Sequence, residues 1–254
     1  MSELIMSSQM SALIERGRVE HQDVLALRQS TFADGVVCRD EALGLFAVHT
    51  NCSMKCPEWD AFFVEALSDF LVHNVEPAGY VNEKQAGWLV SAIARNGSVA
   101  SKAELELLIC VLEKSQRSPE RLSAFALSQI ADAVIDHRGP LSGNHRRDRV
   151  ISAADVKMMR RILYAFGGDN AVGISKAEAE VLFRLNDNSI EAENDPAWND
   201  LFVKAIANFV MSVSRYSVPT RQEALRREDW LDQHHEGRSF FNRMLADGLK
   251  GVLK

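Results

Sequence analysis

Apolar residues recur at helical spacing along most of this chain. Between 57 and 73, Phe62, Phe63, Ala66, Leu67 and Phe70 share one side, with Glu65 and Asp69 on the other. A helix turns about 100° per residue, so this spacing gathers the apolar side chains into one stripe. The stretches 101–114 and 198–211 follow the same rule. No segment alternates apolar and polar residues between turn signals, as a half-buried strand would. The helix starts are marked as well. A Ser, Thr or Asn followed three residues later by Glu or Gln satisfies two orphan amides at a helix N-terminus. That pattern occurs at Asn82–Gln85, Ser101–Glu104, Ser175–Glu178 and Thr220–Glu223, with variants at Ser152–Asp155 and Cys38–Glu41. Pro57, Pro119 and Pro196 stand where proline opens a helix, Ser118 and Asp195 preceding two of them as caps. The pattern predicts an all-α protein of about eleven helices, with a leading helix over 3–16.

The apolar pattern also repeats itself. Pro57, Trp59, Phe63, Val64, Ala66 and Phe70 recur at a constant offset as Pro196, Trp198, Phe202, Val203, Ala205 and Phe209. Upstream, Leu45-Phe46 matches Leu182-Phe183; downstream, Trp88-Leu89 matches Trp230-Leu231. A third copy lies between them. Ser101-Lys-Ala-Glu104 matches Ser175-Lys-Ala-Glu178, and Ile130-Ala-Asp132 matches Ile206-Ala-Asn208. A period of about 70 residues implies a duplicated unit of several helices. The expected architecture is a multi-helix repeat of about three and a half copies of a three-helix unit. The units span 18–75, 79–137, 150–212 and, truncated, 216–254. The loop around 138–149 has no repeat partner, and Gly139, Pro140, Gly143 and Asn144 mark it as irregular. It divides the chain into an N-terminal lobe, 1–137, and a C-terminal lobe, 150–254.

Composition narrows the class. The chain has 254 residues, 46% of them apolar and 25% charged, with 14 Gly and 6 Pro. Collagen-like, low-complexity and broadly disordered classes are excluded. Net charge is −6, which disfavours nucleic acid as a partner unless a local basic patch exists. The N-terminus lacks a basic start followed by a clean apolar run, and no stretch approaches the ~18 apolar residues of a membrane span. A cytoplasmic protein with reduced thiols and no membrane insertion is expected.

The first unit carries Ala33-Asp34-Gly35-Val-Val-Cys-Arg-Asp-Glu41 between two helices. This run resembles the signature of the TerB-like family, named for a tellurite-resistance protein. The resemblance implies an all-helical, bacterial, cytoplasmic module, linked to metal-ion or stress responses and often binding a protein partner. It assigns acidic positions to Asp34 and Glu41. The second unit has Asn96 in place of the Asp, and the third has lost the Asp-Gly pair. The same run also resembles half of a calcium loop, but Phe32 occupies a position that needs an oxygen ligand. Glu41 equally fits a helix cap.

Candidate chemistry is sparse. His49, Cys52 and Cys56 offer imidazole and thiolates at short spacing, suited to zinc, with Cys38 as a fourth ligand. Cys56 precedes a helix start, where the dipole lowers the pKa of an exposed thiol, so it is the cysteine expected to react first. Arg138, Arg146, Arg147 and Arg149 make the one basic loop, extended by Arg160 and Arg161, a place for an anionic group or partner. A solvated linker explains the same residues. The acidic run from Asp187 to Asp195 and the pair His234-His235 fit surface positions better than ion sites. No phosphate-cradling glycine loop, nucleophile elbow or His-Glu-x-x-His motif occurs. The expected function is therefore non-enzymatic binding of a protein partner. A second reading is a protein that binds or senses a divalent metal, or senses redox state, with that metal as its sole candidate cofactor.

Overall fold

The computed structural model describes residues 8–31, 37–145, 148–165 and 173–213. Among them the chain forms ten α-helices, one short 3-10 turn and four two-residue strands. The expectation of a mostly helical protein holds. The helices are α1 (Ser8–Arg16), α2 (His21–Thr31), α3 (Arg39–Asn51), α4 (Glu58–His73), α5 (Glu83–Ile93), α6 (Lys102–Lys114), α7 (Glu120–Asp136), α8 (Ala153–Leu163), α9 (Lys176–Ser189) and α10 (Pro196–Val213). Asp34 and the Ala33-Asp34-Gly35 motif lie outside the described residues, as do Arg146, Arg147, the Thr220–Glu223 cap, Trp230 and His234-His235.

The start signals explain most helix N-termini. Asn82 Oδ1 accepts from the amides of Lys84 and Gln85, and Gln85 Oε1 accepts from the Asn82 amide at 2.6 Å. Ser152–Asp155 and Ser175–Glu178 close the same reciprocal box. Asp195 Oδ1 accepts from the Ala197 amide, and α10 begins at Pro196 as the sequence implies. Ser118 differs. Pro119 is the cap of α7, its extended backbone placing its carbonyl to accept from Leu122 at 2.8 Å.

The strands are a small departure from the predicted pattern, and two residues are too few to show alternation. β1 (Arg18–Val19) and β2 (Met54–Lys55) pair in parallel. β3 (Ala94–Arg95) and β4 (Ser98–Val99) form a hairpin across Asn96-Gly97, both at positive φ. Asn-Gly is the preferred pair for this tight turn, because its twist matches the strands. Buried Gln129 of α7 holds the hairpin, accepting from the Val99 amide at 2.8 Å.

The core is continuous, and its largest fully buried side chains include Trp59, Phe62 and Phe63 of α4. The most extensive helix contacts join α4 to α6 and α7 to α9, while α1 packs on α3. Packing therefore runs across the 138–149 loop. Ion pairs cross it too. Arg161 of α8 binds Glu106 and Glu113 of α6 at 2.6–2.9 Å, and Arg184 of α9 binds Asp132 and Asp136 of α7 at 2.9 and 2.7 Å. Aromatic geometry recurs along the chain. Phe46 meets Phe63 edge-on at 5.3 Å and 90°, and Phe183 meets Phe202 at 5.5 Å and 88°. No described helix is long and apolar enough to cross a membrane.

Candidate functional site

The segment His49–Cys56, read from sequence as a metal cluster, leaves α3 and enters α4. Lys55 Nζ donates to the carbonyls of His49 and Cys52 at 2.7 and 2.8 Å, closing the C-terminus of α3 where acceptors are orphaned. Cys52 is buried, and its Sγ donates to the Leu13 carbonyl at 3.4 Å. Cys56 is half-buried, and its amide donates to the Val19 carbonyl beside the β1–β2 pair. Burial pushes the Cys56 thiol up, and the nearby Glu58 carboxylate adds to it. The lowering expected of an exposed thiol at a helix start does not apply to this half-buried one, where desolvation and Glu58 outweigh the helix dipole. Burial raises Cys52 as well. Cys38 is exposed at the start of α3, where the Glu41 carboxylate accepts from the Cys38 amide at 2.8 Å. Glu41 is therefore placed as a helix cap. Among the described residues, no group of three His, Cys, Asp or Glu side chains is placed to hold a metal ion.

His49 belongs instead to a buried polar chain linking α3, α4 and α6. Trp59 Nε1 donates to His49 Nδ1 at 3.0 Å, and His49 Nε2 lies 3.0 Å from Ser101 Oγ. Indole nitrogen can only donate, so Nδ1 is the acceptor and the neutral ring carries its proton on Nε2. That proton points at Ser101. His49 therefore cannot withdraw the Ser101 proton, and the pair is the reverse of an activated nucleophile. Ser101 also caps α6, accepting from the Glu104 amide. Glu104 is only 2% exposed, and burial pushes its carboxyl up. Burial, followed by the Lys55 and Arg95 charges, lowers His49 to about 4. Sequence reasoning missed Ser101 as the His49 partner because the two are far apart in the chain.

The basic loop is more structured than a linker. Leu141 is buried and Ser142–Asn144 makes a 3-10 turn. The His145 ring is buried against Asp155 at 3.2 Å, at the N-terminus of α8. Arg138 pairs with Asp136 at 3.2 Å and Asp132 at 3.7 Å; Arg160 pairs with Asp200. Arg149 is exposed at positive φ. With Arg138, Arg160 and Arg161 each facing carboxylates, the stretch presents less positive charge than its sequence suggests.

An open concavity lies elsewhere, between the helix connections. It is a groove of about 1030 Å³. One wall is made by the α4–α5 and α6–α7 connections, through Tyr80, Val81 and Pro119. Backbone bonds lock these connections together: Val81 donates to the Arg117 carbonyl at 2.9 Å, and Gln116 donates to Gly79 at 2.7 Å. The other wall is the end of α8 with Tyr164, the start of α9 with Ile174, and α10 with Ala205 and Met211. Asn208 Oδ1 accepts from the Ile174 amide at 2.7 Å, tying α9 to α10. Glu83, Glu120, Arg117 and Lys204 add charges of both signs to its lining, while the Glu178 carboxylate is buried and accepts from the Ser175 amide at 2.8 Å. Tyr80, Tyr164 and Met211 are 42%, 57% and 46% exposed, large apolar surface left to solvent. The groove's volume stands at the upper edge of the ~300–1,000 Å³ range of small-molecule pockets. Sequence could not reveal it, since its walls come from connections distant in the chain.

No known protein family, curated protein or solved structure matches the chain.

Proposed function

We propose that this chain is a non-enzymatic helical-repeat protein that binds an amphipathic segment of a protein partner in the groove between Tyr80 and Tyr164. The observation that carries the reading is the groove itself, apolar over most of its lining, with charged residues of both signs among it. A buried apolar anchor with a polar rim is the usual anatomy of a protein interface. The TerB-like motif at Ala33-Asp34-Gly35 favours the same reading, as a cytoplasmic, stress-linked module.

The repeat is part of the proposal. Three groups of three helices, α2–α4, α5–α7 and α8–α10, match the three units 18–75, 79–137 and 150–212, with α10 running one residue past the last. In this register the middle helix of one unit packs on the last helix of the unit before it, as α6 does on α4 and α9 on α7. The edge-on pairs Phe46–Phe63 and Phe183–Phe202 support equivalence of the first and third units. Stacked helical units leave grooves between their connections, where repeat proteins bind partners.

The test is native affinity capture from cells, followed by direct binding with the purified partner. Tyr80→Glu and Tyr164→Glu each place a charge on an exposed groove residue. The expected result is a stoichiometric partner whose affinity falls at least tenfold with both substitutions, with circular dichroism unchanged. Absence of any stoichiometric partner, or binding indifferent to both substitutions, would overturn the reading.

A further inference from the structure

The turn between β3 and β4 carries chemistry that neither the groove nor the buried polar chain uses. It is made by Asn96-Gly97, the one Asn-Gly pair in the sequence. Both residues are exposed, and both sit at positive φ, 53° and 79°. An asparagine carboxamide is an electrophile. Attack on it by the nitrogen of the following residue closes a five-membered ring. A side chain on that following residue hinders the approach, and glycine has none. The surroundings are open as well: a side-chain carbon at Gly97 would meet no atom within 4 Å beyond its chain neighbours. Among the described residues, the Asn96 carboxamide and the Gly97 amide have no hydrogen-bond partner. Other asparagines are held in place. Asn82 Oδ1 accepts from two amides, and Asn194 accepts from the Ile151 amide at 2.9 Å while donating to the Ser189 carbonyl at 2.7 Å.

The core below depends on this turn. Its two-residue length sets the register that pairs Ala94 with Val99 and Arg95 with Ser98. Gln129 of α7, 1% exposed, accepts from the Val99 amide at 2.8 Å and donates to the Gly97 carbonyl at 3.4 Å. Val99 itself is 2% exposed. The hairpin is therefore fastened to α7 through the peptide groups at and beside the turn.

We propose that Asn96-Gly97 is a site of spontaneous covalent modification in the folded protein, where the Gly97 nitrogen attacks Asn96 Cγ. The N–Cγ bond forms, the Cγ–Nδ2 bond breaks, and ammonia leaves with the proton that Gly97 gives up. A succinimide remains, and water opens it. Cleavage between the Gly97 nitrogen and Cγ leaves aspartate at 96. Cleavage between that nitrogen and the main-chain carbonyl carbon leaves isoaspartate. Neither step changes an oxidation state, and each product carries one added negative charge. The two products differ in consequence. Asp-Gly suits the same tight turn. Isoaspartate routes the main chain through one extra methylene, which breaks the two-residue register and frees the hairpin from Gln129. The inference stands apart from the partner reading.

Incubation of the folded full chain in neutral buffer tests it, with peptide mapping by fragmentation that separates aspartate from isoaspartate. The peptide containing Asn96 is expected to gain the mass of an amide-to-acid exchange before those containing Asn82 and Asn194, and faster in alkaline buffer. Gly97→Ala is expected to slow the gain at least tenfold, and Asn96→Gln, whose attack needs a six-membered ring, to stop it. In the isoaspartate fraction, separated by anion exchange, the Val99 amide is expected to exchange its hydrogen at least tenfold faster, whereas Asn96→Asp leaves it unchanged. An Asn96 that persists in the folded chain yet reacts in urea would overturn the proposal. So would a Val99 amide as well protected in the isoaspartate fraction as in the parent.

Discussion

The folded chain binds the His49 proton only near pH 4, whereas the unfolded chain binds it near 6.5. Between those values the unfolded state holds more protons, so stability rises with pH across that window and falls as the solution is acidified through it. The His49 contribution to that loss is on the order of 2 kcal/mol, accumulating as the pH falls from about 6.5 and complete only below about 4. Denaturant midpoints measured from pH 7 to 4 are expected to show this slope, and His49→Gln to flatten it. The thiols are a second expectation at this scale. Cys38 is exposed, whereas Cys52 is buried with its thiol pushed up. Native alkylation followed by mass mapping should label Cys38 first and Cys52 last. A sequence shows a histidine and three cysteines close together and suggests a shared ion. It does not show that Trp59 and Ser101 take both ring nitrogens of His49. Trp59 stands out in the sequence as a repeated position, but Ser101 comes from the second unit, and only folding brings it to His49.

Helix ends were the most legible elements, because a cap is a local contract between residues three apart. Ser175 Oγ accepts from the Glu178 amide at 3.2 Å, and Glu178 returns the bond to the Ser175 amide at 2.8 Å. Ser175→Ala is expected to lower stability by about 1 kcal/mol, read as a reduced denaturant midpoint at unchanged slope. Where the cap depends on backbone angle rather than on side chain, sequence misleads. Pro119 caps α7 although Ser118 is the better residue by type. The Asn96-Gly97 hairpin was readable in principle, since that dipeptide favours a tight turn. It escaped because strands of two residues carry no alternating pattern. The C-terminus of α3 was illegible for another reason: Lys55 reaches back over a bend to bond its last carbonyls.

At the scale of the whole molecule, the helices on either side of the 138–149 loop are joined by packing and by charge. Arg161 receives both carboxylates, Glu113 and Glu106, whose hydrogen bonds raise its pKa further. Its forked geometry meets each acid with two bonds, which lysine cannot reproduce. Arg161→Met is expected to reduce stability by about 1–2 kcal/mol, with Arg161→Lys no better, and the difference from the parent chain is expected to shrink in high salt. Thermal melts at low and high salt measure it. The ladder of apolar positions exposed the helices and their recurrence in the sequence; the groove stayed hidden because it is made by connections, where no periodicity runs. The short β1–β2 pair has one more consequence. It ties the connection after α1 to the one between α3 and α4, and Cys52 Sγ rests on the Leu13 carbonyl of α1 at 3.4 Å. A chain begun after Val19 would lose both. In such a fragment Cys52 is expected to move from the slowest thiol to one that alkylates readily in native buffer.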